Sequence, residues 1–168
     1  MTAEVVSNAS PLIHAAKIGF FETLIELYGK ISLPPAVYNE AVEKGYLRVL
    51  EPNERAKAET EVLTKTQDIS AGEAEAIALA RQVKAELLII DERSGTLIAR
   101  VWRIRTVGLL GVIIEAMHRD IITFDELKMY YDRPIETEFR LRHRDYVKAM
   151  ELAQKVWRET KKREQKNV

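Results

Sequence analysis

An unbroken apolar stretch near the middle of the chain constrains the fold more than any other sequence feature. Residues 86–90 read Glu-Leu-Leu-Ile-Ile, and the stretch ends at Asp91 and Glu92. A strand whose side chains are apolar without alternation is typical of a parallel sheet that is covered on both faces. Parallel strands need crossover connections, which are usually helices. The stretch therefore predicts an α/β fold around a buried parallel sheet.

Shorter strands and amphipathic helices alternate along the rest of the chain. Further strands are predicted at residues 5–6, 30–33 and 104–107. Helices are predicted from Ser10-Pro11 onward and at residues 20–28, 34–44, 52–65, 74–83, 92–101 and 108–118. Ser70 with Glu73, and Thr123 with Glu126, have the spacing of capping boxes, which mark helix starts. The alternation predicts a parallel sheet with right-handed crossovers.

The C-terminal part of the chain has a helical pattern and a basic charge. Residues 134–168 contain 10 basic and 6 acidic residues, although the whole chain has a net charge of zero. One helical stripe carries Phe139, His143, Tyr146, Met150, Ala153 and Trp157. The stripe predicts packing against the body of the protein or against a second subunit. The opposite, basic face either solvates the surface or binds phosphate groups.

Composition excludes several classes of function. The chain of 168 residues has no cysteine, which excludes disulfides, thiolate metal sites and cysteine nucleophiles. No apolar run reaches the length of a membrane span and no secretory signal is recognisable, so we expect a cytoplasmic protein without membrane contact. Phosphate-loop, nucleophile-elbow and zinc-protease motifs are absent from the sequence. Three histidines, far apart in sequence, are expected to be surface or packing residues: His14, His118 and His143.

Polar residues with oxygen ligands follow the predicted strands or open the predicted helices. Asn8 follows the first strand, and Asp91 with Glu92 follows the apolar stretch. Glu73 lies in the first turn of a helix, and Glu40 lies in the helix after Pro34-Pro35. Ligands of open parallel sheets bind outside the carboxyl ends of the strands. If the sheet gathers these side chains, hard oxygen ligands favour Mg²⁺ or Mn²⁺, which can activate water for phosphodiester hydrolysis.

Each of these residues also has a purely structural interpretation. Glu73 is explained by its capping box, and Asp91 by capping of the helix that follows it. Asn8 is explained as a cap or turn residue, and Glu40 as part of a solvated helix face. The functional interpretation depends on a fold that brings all four residues together.

Four motifs, in the order of the chain, resemble those of PIN-domain ribonucleases. The first three are found at residues 5–13 (VVSNASPLI), residues 33–40 (LPPAVYNE) and residues 70–80 (SAGEAEAIALA). The fourth is residues 88–91 (LIID), and residues 106–116 (TVGLLGVIIEA) match the subgroup called DUF3368. The resemblance covers about residues 4–122. It therefore divides the chain into a PIN-like domain at 1–122 and a C-terminal helical extension at 123–168.

The resemblance implies both a fold and a function. The fold is a three-layer α/β/α sandwich with a central short parallel sheet. The implied activity is Mg²⁺- or Mn²⁺-dependent cleavage of RNA, in many prokaryotic members as the toxin of a toxin–antitoxin pair, with an antitoxin protein and a second copy of the chain as partners. Carried over by position, the catalytic and metal-binding residues are Asn8, Glu40, Glu73 and Asp91. Ser10 is an outer hydroxyl, and Glu75 and Glu92 are alternative registers.

One position departs from the general PIN pattern. Asn8 stands where these nucleases usually have Asp, so the site loses a charge and a possible base. Two alternatives to a nuclease therefore remain open. The first is a catalytically weak or inactive PIN-like module that binds RNA or a protein. The second, which rests on the C-terminal stripe alone, is a structural dimerisation protein.

Overall fold

A computed structural model describes residues 4–35, 47–133 and 143–166. Five short strands form its single sheet: β1 (Val5–Ser7), β2 (Ile31–Leu33), β3 (Leu47–Val49), β4 (Leu87–Ile89) and β5 (Thr106–Val107). Every pair of neighbouring strands is parallel, and the strand order is β3-β2-β1-β4-β5. The predicted α/β fold with a short parallel sheet is confirmed.

Eight helices accompany the sheet in the described part of the chain. They are α1 (Ala9–Lys17), α2 (Phe21–Tyr28), α3 (Glu54–Thr66), α4 (Ala71–Gln82), α5 (Arg93–Val101), α6 (Leu109–His118), α7 (Phe124–Asp132) and α8 (His143–Lys166). Both predicted capping boxes are present, at the starts of α4 and α7. The helix predicted at residues 34–44 lies almost entirely outside the described residues.

Strand β1 lies in the middle of the sheet, and the order of strands reverses there. The chain runs outward from β1 to β2 and β3, and then returns so that β4 pairs with the other side of β1. Val5, Val6 and Ser7 of β1 pair with Leu87, Leu88 and Ile89 of β4. The carboxyl ends of β1 and β4 therefore lie side by side at a topological switch point, where open α/β sheets bind ligands.

The sheet is buried on both faces, as the apolar stretch predicts. Val5 and Ile89 belong to a cluster with α1, α2, α6 and α7, whereas Val6 and Leu88 belong to a second cluster with α3, α4 and α5. Successive strand residues point to opposite faces of a sheet, which explains this division. The three layers of the predicted α/β/α sandwich are thereby confirmed.

One strand and one helix start differ from the sequence-based expectation. The edge strand β3 was not predicted, because its residues, Leu-Arg-Val, are short, partly polar and partly exposed. Helix α1 was predicted to start with Ser10 as its cap. Its cap is Asn8 instead, two residues earlier, because the Asn8 Oδ1 atom accepts a hydrogen bond of 2.8 Å from the amide of Ala9, the first residue of the helix. The capping interpretation of Asn8 is therefore confirmed.

The C-terminal helix packs against its own domain. Helix α8 contacts α6 and α7, and its Ala153 is fully buried. The Tyr146 hydroxyl donates to Asp132 Oδ1 over 2.9 Å, and the Trp157 ring stacks on Phe124 with 5.4 Å between centroids. Phe139, the first member of the predicted stripe, lies outside the described residues. Among the residues described, no helix is both long and apolar enough to cross a membrane.

Helix α7 also shares the core of the sandwich. Leu127 and Tyr131 are fully buried in the same cluster as α1 and α6. The Tyr131 hydroxyl donates to the Leu110 carbonyl over 2.8 Å, and burial raises the pKa of this phenol, so it stays a protonated donor at neutral pH. The boundary between 1–122 and 123–168 stays a prediction about how the chain is organised.

A pair of glutamate substitutions on α8 tests its docking. Ala153→Glu should lower the free energy of unfolding by about 3–5 kcal/mol, because it places an unpaired carboxylate in a fully buried position. Gln154→Glu is the matched control, since residue 154 is exposed on the same helix and should change stability by less than about 0.5 kcal/mol. Urea unfolding measures both variants. Equal stability of the two would contradict the packing of α8 on the domain.

Candidate active site

Two of the predicted site residues, Asn8 and Asp91, lie at the edge of the sheet where β1 and β4 end. Asn8 is the first residue after β1, and its amide donates to the Ile89 carbonyl of β4 over 3.0 Å. Asp91 follows β4 by two residues, and the preceding Ile90 amide donates to the Val107 carbonyl over 2.9 Å. These backbone contacts fix the two positions relative to one another. The predicted placement of Asn8 and Asp91 at neighbouring strand ends is therefore observed.

Four helices begin at the same edge of the sheet. Helices α1, α5 and α6 each start within a few residues of the ends of β1, β4 and β5, and the first turn of α4 approaches Asn8. A helix N-terminus leaves backbone amides without a partner inside the helix and carries a partial positive charge. Acidic and amide side chains are stabilised there. The edge therefore favours the oxygen-rich side chains that the sequence supplies.

Asp91 divides its two oxygens between a helix and the site. Its Oδ1 atom accepts a hydrogen bond of 2.7 Å from the amide of Leu109, the first residue of α6. Its Oδ2 atom is buried without a hydrogen-bond partner among the described residues and lies 3.9 Å from His14 Nδ1. Asp91 thus caps α6. The interpretation in which it caps the helix that follows it is wrong, because that helix, α5, has Glu92 at its N-cap position.

Glu73 divides its oxygens in the same way. Its Oε2 atom accepts from the Ser70 amide over 2.9 Å, and the Ser70 hydroxyl accepts from the Glu73 amide over 3.2 Å. This is the predicted capping box. The side chain is only 6% exposed, and its Oε1 atom is buried without a hydrogen-bond partner in the described part of the chain. The capping box therefore accounts for one of the two oxygens and leaves the other available.

Asn8 lies between the first turn of α4 and Glu92. The Asn8 side chain is 5% exposed, and its Nδ2 atom donates to Glu92 Oε2 over a long 3.5 Å. A Cβ atom added at Gly72 would lie 3.6 Å from Asn8 Oδ1, which shows how closely α4 approaches. The structure thus brings Asn8, Glu92 and the turn that holds Glu73 together.

The remaining predicted residues occupy different positions. Ser10 is a half-buried residue in the first turn of α1. Glu75 is half-buried on α4, and two residues of separation turn it about 200° around the helix from Glu73. Glu40 lies outside the described residues. The predicted proximity of Glu40 to Glu73 and Asp91 stays a prediction.

Whether a metal ion fits this site depends on which side-chain oxygens lie close together. Within residues 4–35, 47–133 and 143–166, no three Asp, Glu or His side chains come close enough together to hold an ion. The buried carboxylate oxygens without a hydrogen-bond partner there nevertheless include Glu73 Oε1 and Asp91 Oδ2. A buried polar atom without a partner calls for a water, a proton or an ion. Carboxylate and amide oxygens suit Mg²⁺ or Mn²⁺, so the donor chemistry fits such an ion if Glu40 joins the set.

His14 contacts the site, although the sequence analysis expected only a surface or packing residue. It lies on α1, four residues after Ser10, and such a pair shares one helix face. If Ser10 faces the candidate site, this spacing predicts that His14 faces it as well. Its closeness to Asp91 comes from the tertiary packing of α1 beside β4.

Two glycines leave room for the acidic side chains. A Cβ atom at Gly108 would lie 2.8 Å from Asp91 Oδ1, and one at Gly95 would lie 3.0 Å from Glu73 Oε1 and 2.5 Å from Ile90 Cδ1. Gly108 has an ordinary φ of −90°, so space is what its position demands. The sequence alone does not reveal this requirement for space, because it arises from tertiary contacts.

Comparison with known proteins identifies the family. The family described as DUF3368, PIN domain, matches residues 4–155. The match includes every strand, all four helix starts at the candidate site, helix α7 and the first half of α8. No protein of curated function matches the chain significantly. With most of its length matched by one family and an α/β/α sandwich around a parallel sheet, this chain belongs to the DUF3368 family of PIN domains.

Proposed function

We propose that this protein is a metal-dependent ribonuclease that hydrolyses RNA phosphodiester bonds. Membership of a PIN-domain family supports a nuclease, and the position of the candidate site at the topological switch point supports a ligand there. The observation that carries the proposal is that Glu73 and Asp91 each keep one buried carboxylate oxygen, Oε1 and Oδ2, without a hydrogen-bond partner in the described part of the chain.

The protein's own residues would hold and orient the ion. Asp91 and Glu73 would each contribute the oxygen that is not used by a helix start, with the Asn8 amide oxygen and Glu40 completing the set. When bound, Mg²⁺ or Mn²⁺ supplies activation of water and neutralisation of charge on the phosphodiester. Glu73 Oε2 and Asp91 Oδ1 accept hydrogen bonds from backbone amides, so both side chains are held in one orientation before an ion arrives. Ser10 and His14, on the same face of α1, would orient groups around this set.

The proposed biological role is that of the toxin in a toxin–antitoxin pair. It rests on the resemblance of the motifs to prokaryotic PIN toxins and implies an antitoxin protein and a homodimer as partners. Inhibition of the ribonuclease by a protein encoded beside it would support this role.

A second candidate function is a non-catalytic PIN-like module that binds RNA or a protein. Asn8 favours it, because an amide brings no negative charge where the family pattern has a carboxylate. The absence of a three-carboxylate cluster within the described ranges also favours it. A calorimetric titration with Mn²⁺ separates the two functions, since only the nuclease needs a specific ion.

Substitution of Asp91 should separate catalysis from stability. Asp91→Asn should abolish RNA cleavage in Mn²⁺ while leaving the melting temperature nearly unchanged, because an amide oxygen can still accept from the Leu109 amide. Asp91→Ala should also be inactive and should lose about 1 kcal/mol of stability, since α6 loses its cap. Cleavage of a labelled RNA and thermal unfolding measure the two effects. Full wild-type activity in excess EDTA, or an active Asp91→Asn variant, would contradict the proposal.

Replacing the unusual amide should strengthen ion binding. Asn8→Asp should tighten Mn²⁺ binding about tenfold, or by about 1.4 kcal/mol, because it adds a negative charge to the oxygen set. Asn53→Asp is the matched control: Asn53 is also a helix N-cap, accepting from the Ala56 amide over 2.9 Å, but it is exposed at the start of α3. Calorimetry measures both. Equal affinities for Mn²⁺ in wild type and Asn8→Asp would show that Asn8 does not contact the ion.

A further inference from the structure

The segment that leaves the candidate site carries an unusual concentration of arginine. Residues 93–105, which form α5 and the turn after it, contain no Asp or Glu. The four arginines in this segment are all exposed: Arg93, Arg100, Arg103 and Arg105. None of them forms an ion pair with an acidic side chain in the described part of the chain. The segment is therefore a positively charged surface that no acidic side chain of the described residues neutralises.

Several exposed cations on other helices are paired with acids of the same helix. On α3, Arg55 pairs with Glu59, Lys57 with Glu54, and Lys65 with Glu61. On α6, Arg119 pairs with Glu115. Such pairs are the usual arrangement on a solvated helix. Helix α5 lacks them because its sequence supplies no acid three or four residues from an arginine.

Two of the arginines share one exposed face of α5 with two aliphatic side chains. Arg93 and Arg100 are seven residues apart, which places them on one side of the helix about 10 Å apart along its axis. Leu97 and Val101 lie between and beside them and are 51% and 80% exposed. Gly95 and Ala99, on the opposite side, are buried against the domain. We call Arg93, Leu97, Arg100 and Val101 the α5 face.

The charge distribution of the helix favours an arginine at one of these two positions and disfavours it at the other. Arg100 lies in the last turn of α5, where the partial negative charge of the helix C-terminus stabilises a cation. Arg93 is the first residue of the helix, where the partial positive charge disfavours it. A serine or an acidic residue at position 93 would stabilise the start of the helix better than an arginine. An anion bound near Arg93 would offset this unfavourable interaction.

The α5 face begins at the candidate site. Glu92, which immediately precedes Arg93, is the residue whose Oε2 atom accepts from Asn8 Nδ2. An anionic chain that places one phosphate at the site would bring the next phosphates across the start of α5. We propose that the α5 face binds the single-stranded RNA substrate as it leaves the site, with Arg93 and Arg100 on two phosphates and Leu97 and Val101 against ribose or bases. This inference rests on the proposed function.

The chemistry of the face fits a nucleic acid strand. Guanidinium groups match phosphate geometry with paired donors and also stack on bases. Aliphatic side chains between them contact the apolar faces that a flexible single strand can present. An acidic protein segment would satisfy the charges, but it offers no bases or ribose for Leu97 and Val101 to contact.

The test compares two charge-matched variants in RNA binding. The variants are Arg93→Gln with Arg100→Gln on the α5 face, and Arg144→Gln with Arg158→Gln on the exposed side of α8. The probe is a fluorescein-labelled, mixed-sequence single-stranded RNA, and anisotropy is followed in EDTA at several KCl concentrations. The α5 variant should reduce the slope of log affinity against log salt by about 1.4, because each contact with a single-stranded phosphate contributes about 0.7. The α8 variant should keep the wild-type slope.

Several outcomes would overturn the inference. An unchanged slope in the α5 variant, or a reduced slope in the α8 variant alone, would remove the α5 face from RNA binding. Displacement of the RNA by an equal charge concentration of polyglutamate would assign the face to an acidic protein. Unchanged melting temperatures of both variants control for folding, since all four arginines are exposed.

The test is independent of catalysis. Because binding is measured in EDTA, a protein that shows the predicted slope but no metal-dependent cleavage would refute the proposed nuclease and keep the RNA-binding face. A protein that cleaves RNA but shows no change of slope would refute the α5 face alone. In an active enzyme, the α5 variant should raise KM severalfold at physiological salt and leave kcat nearly unchanged.

Discussion

The pairing of β1 with both β2 and β4 is the constraint on which the rest of the structure depends. Because all strands are parallel, they end at one edge, and the helices that follow β1, β4 and β5 begin there. The chain reverses its direction of winding at β1, so the ends of β1 and β4 are neighbours while their following helices diverge to opposite faces. A crevice with positively polarised helix starts around it is the direct consequence.

The two oxygens of Glu73 and of Asp91 have different roles. One oxygen of Glu73 completes the start of α4, and one oxygen of Asp91 completes the start of α6. The other oxygen of each is buried and has no hydrogen-bond partner within the described residues, which costs stability unless something else binds it. Structural and functional interpretations of these residues are therefore compatible. The capping bonds fix the orientation of carboxylates whose other oxygen is left for chemistry.

The sequence predicts the parts of this structure whose signals are local. The strand at β4 follows from its unbroken apolar residues, and the starts of α4 and α7 follow from capping boxes. The edge strand β3 carries no such signal, because Leu-Arg-Val is exposed on one side and stabilised by pairing with β2. In the site, Asn8 and Asp91 could be placed from strand ends alone. His14 could not, because its approach to Asp91 depends on how α1 packs.

Charge is distributed along the segment from Asp91 to Arg105 in an order that helix electrostatics explains only in part. Acids at its beginning suit the start of α5, and Arg100 and Arg103 suit its end. Arg93 is the exception, placed beside two acids at the positively polarised end and yet paired with neither of them in the described structure. A cation in that position would weaken the repulsion between the carboxylates of the candidate site and a phosphate of the proposed RNA substrate. The site thus combines an acidic centre with a basic border, an arrangement suited to a polyanionic substrate and a divalent ion together.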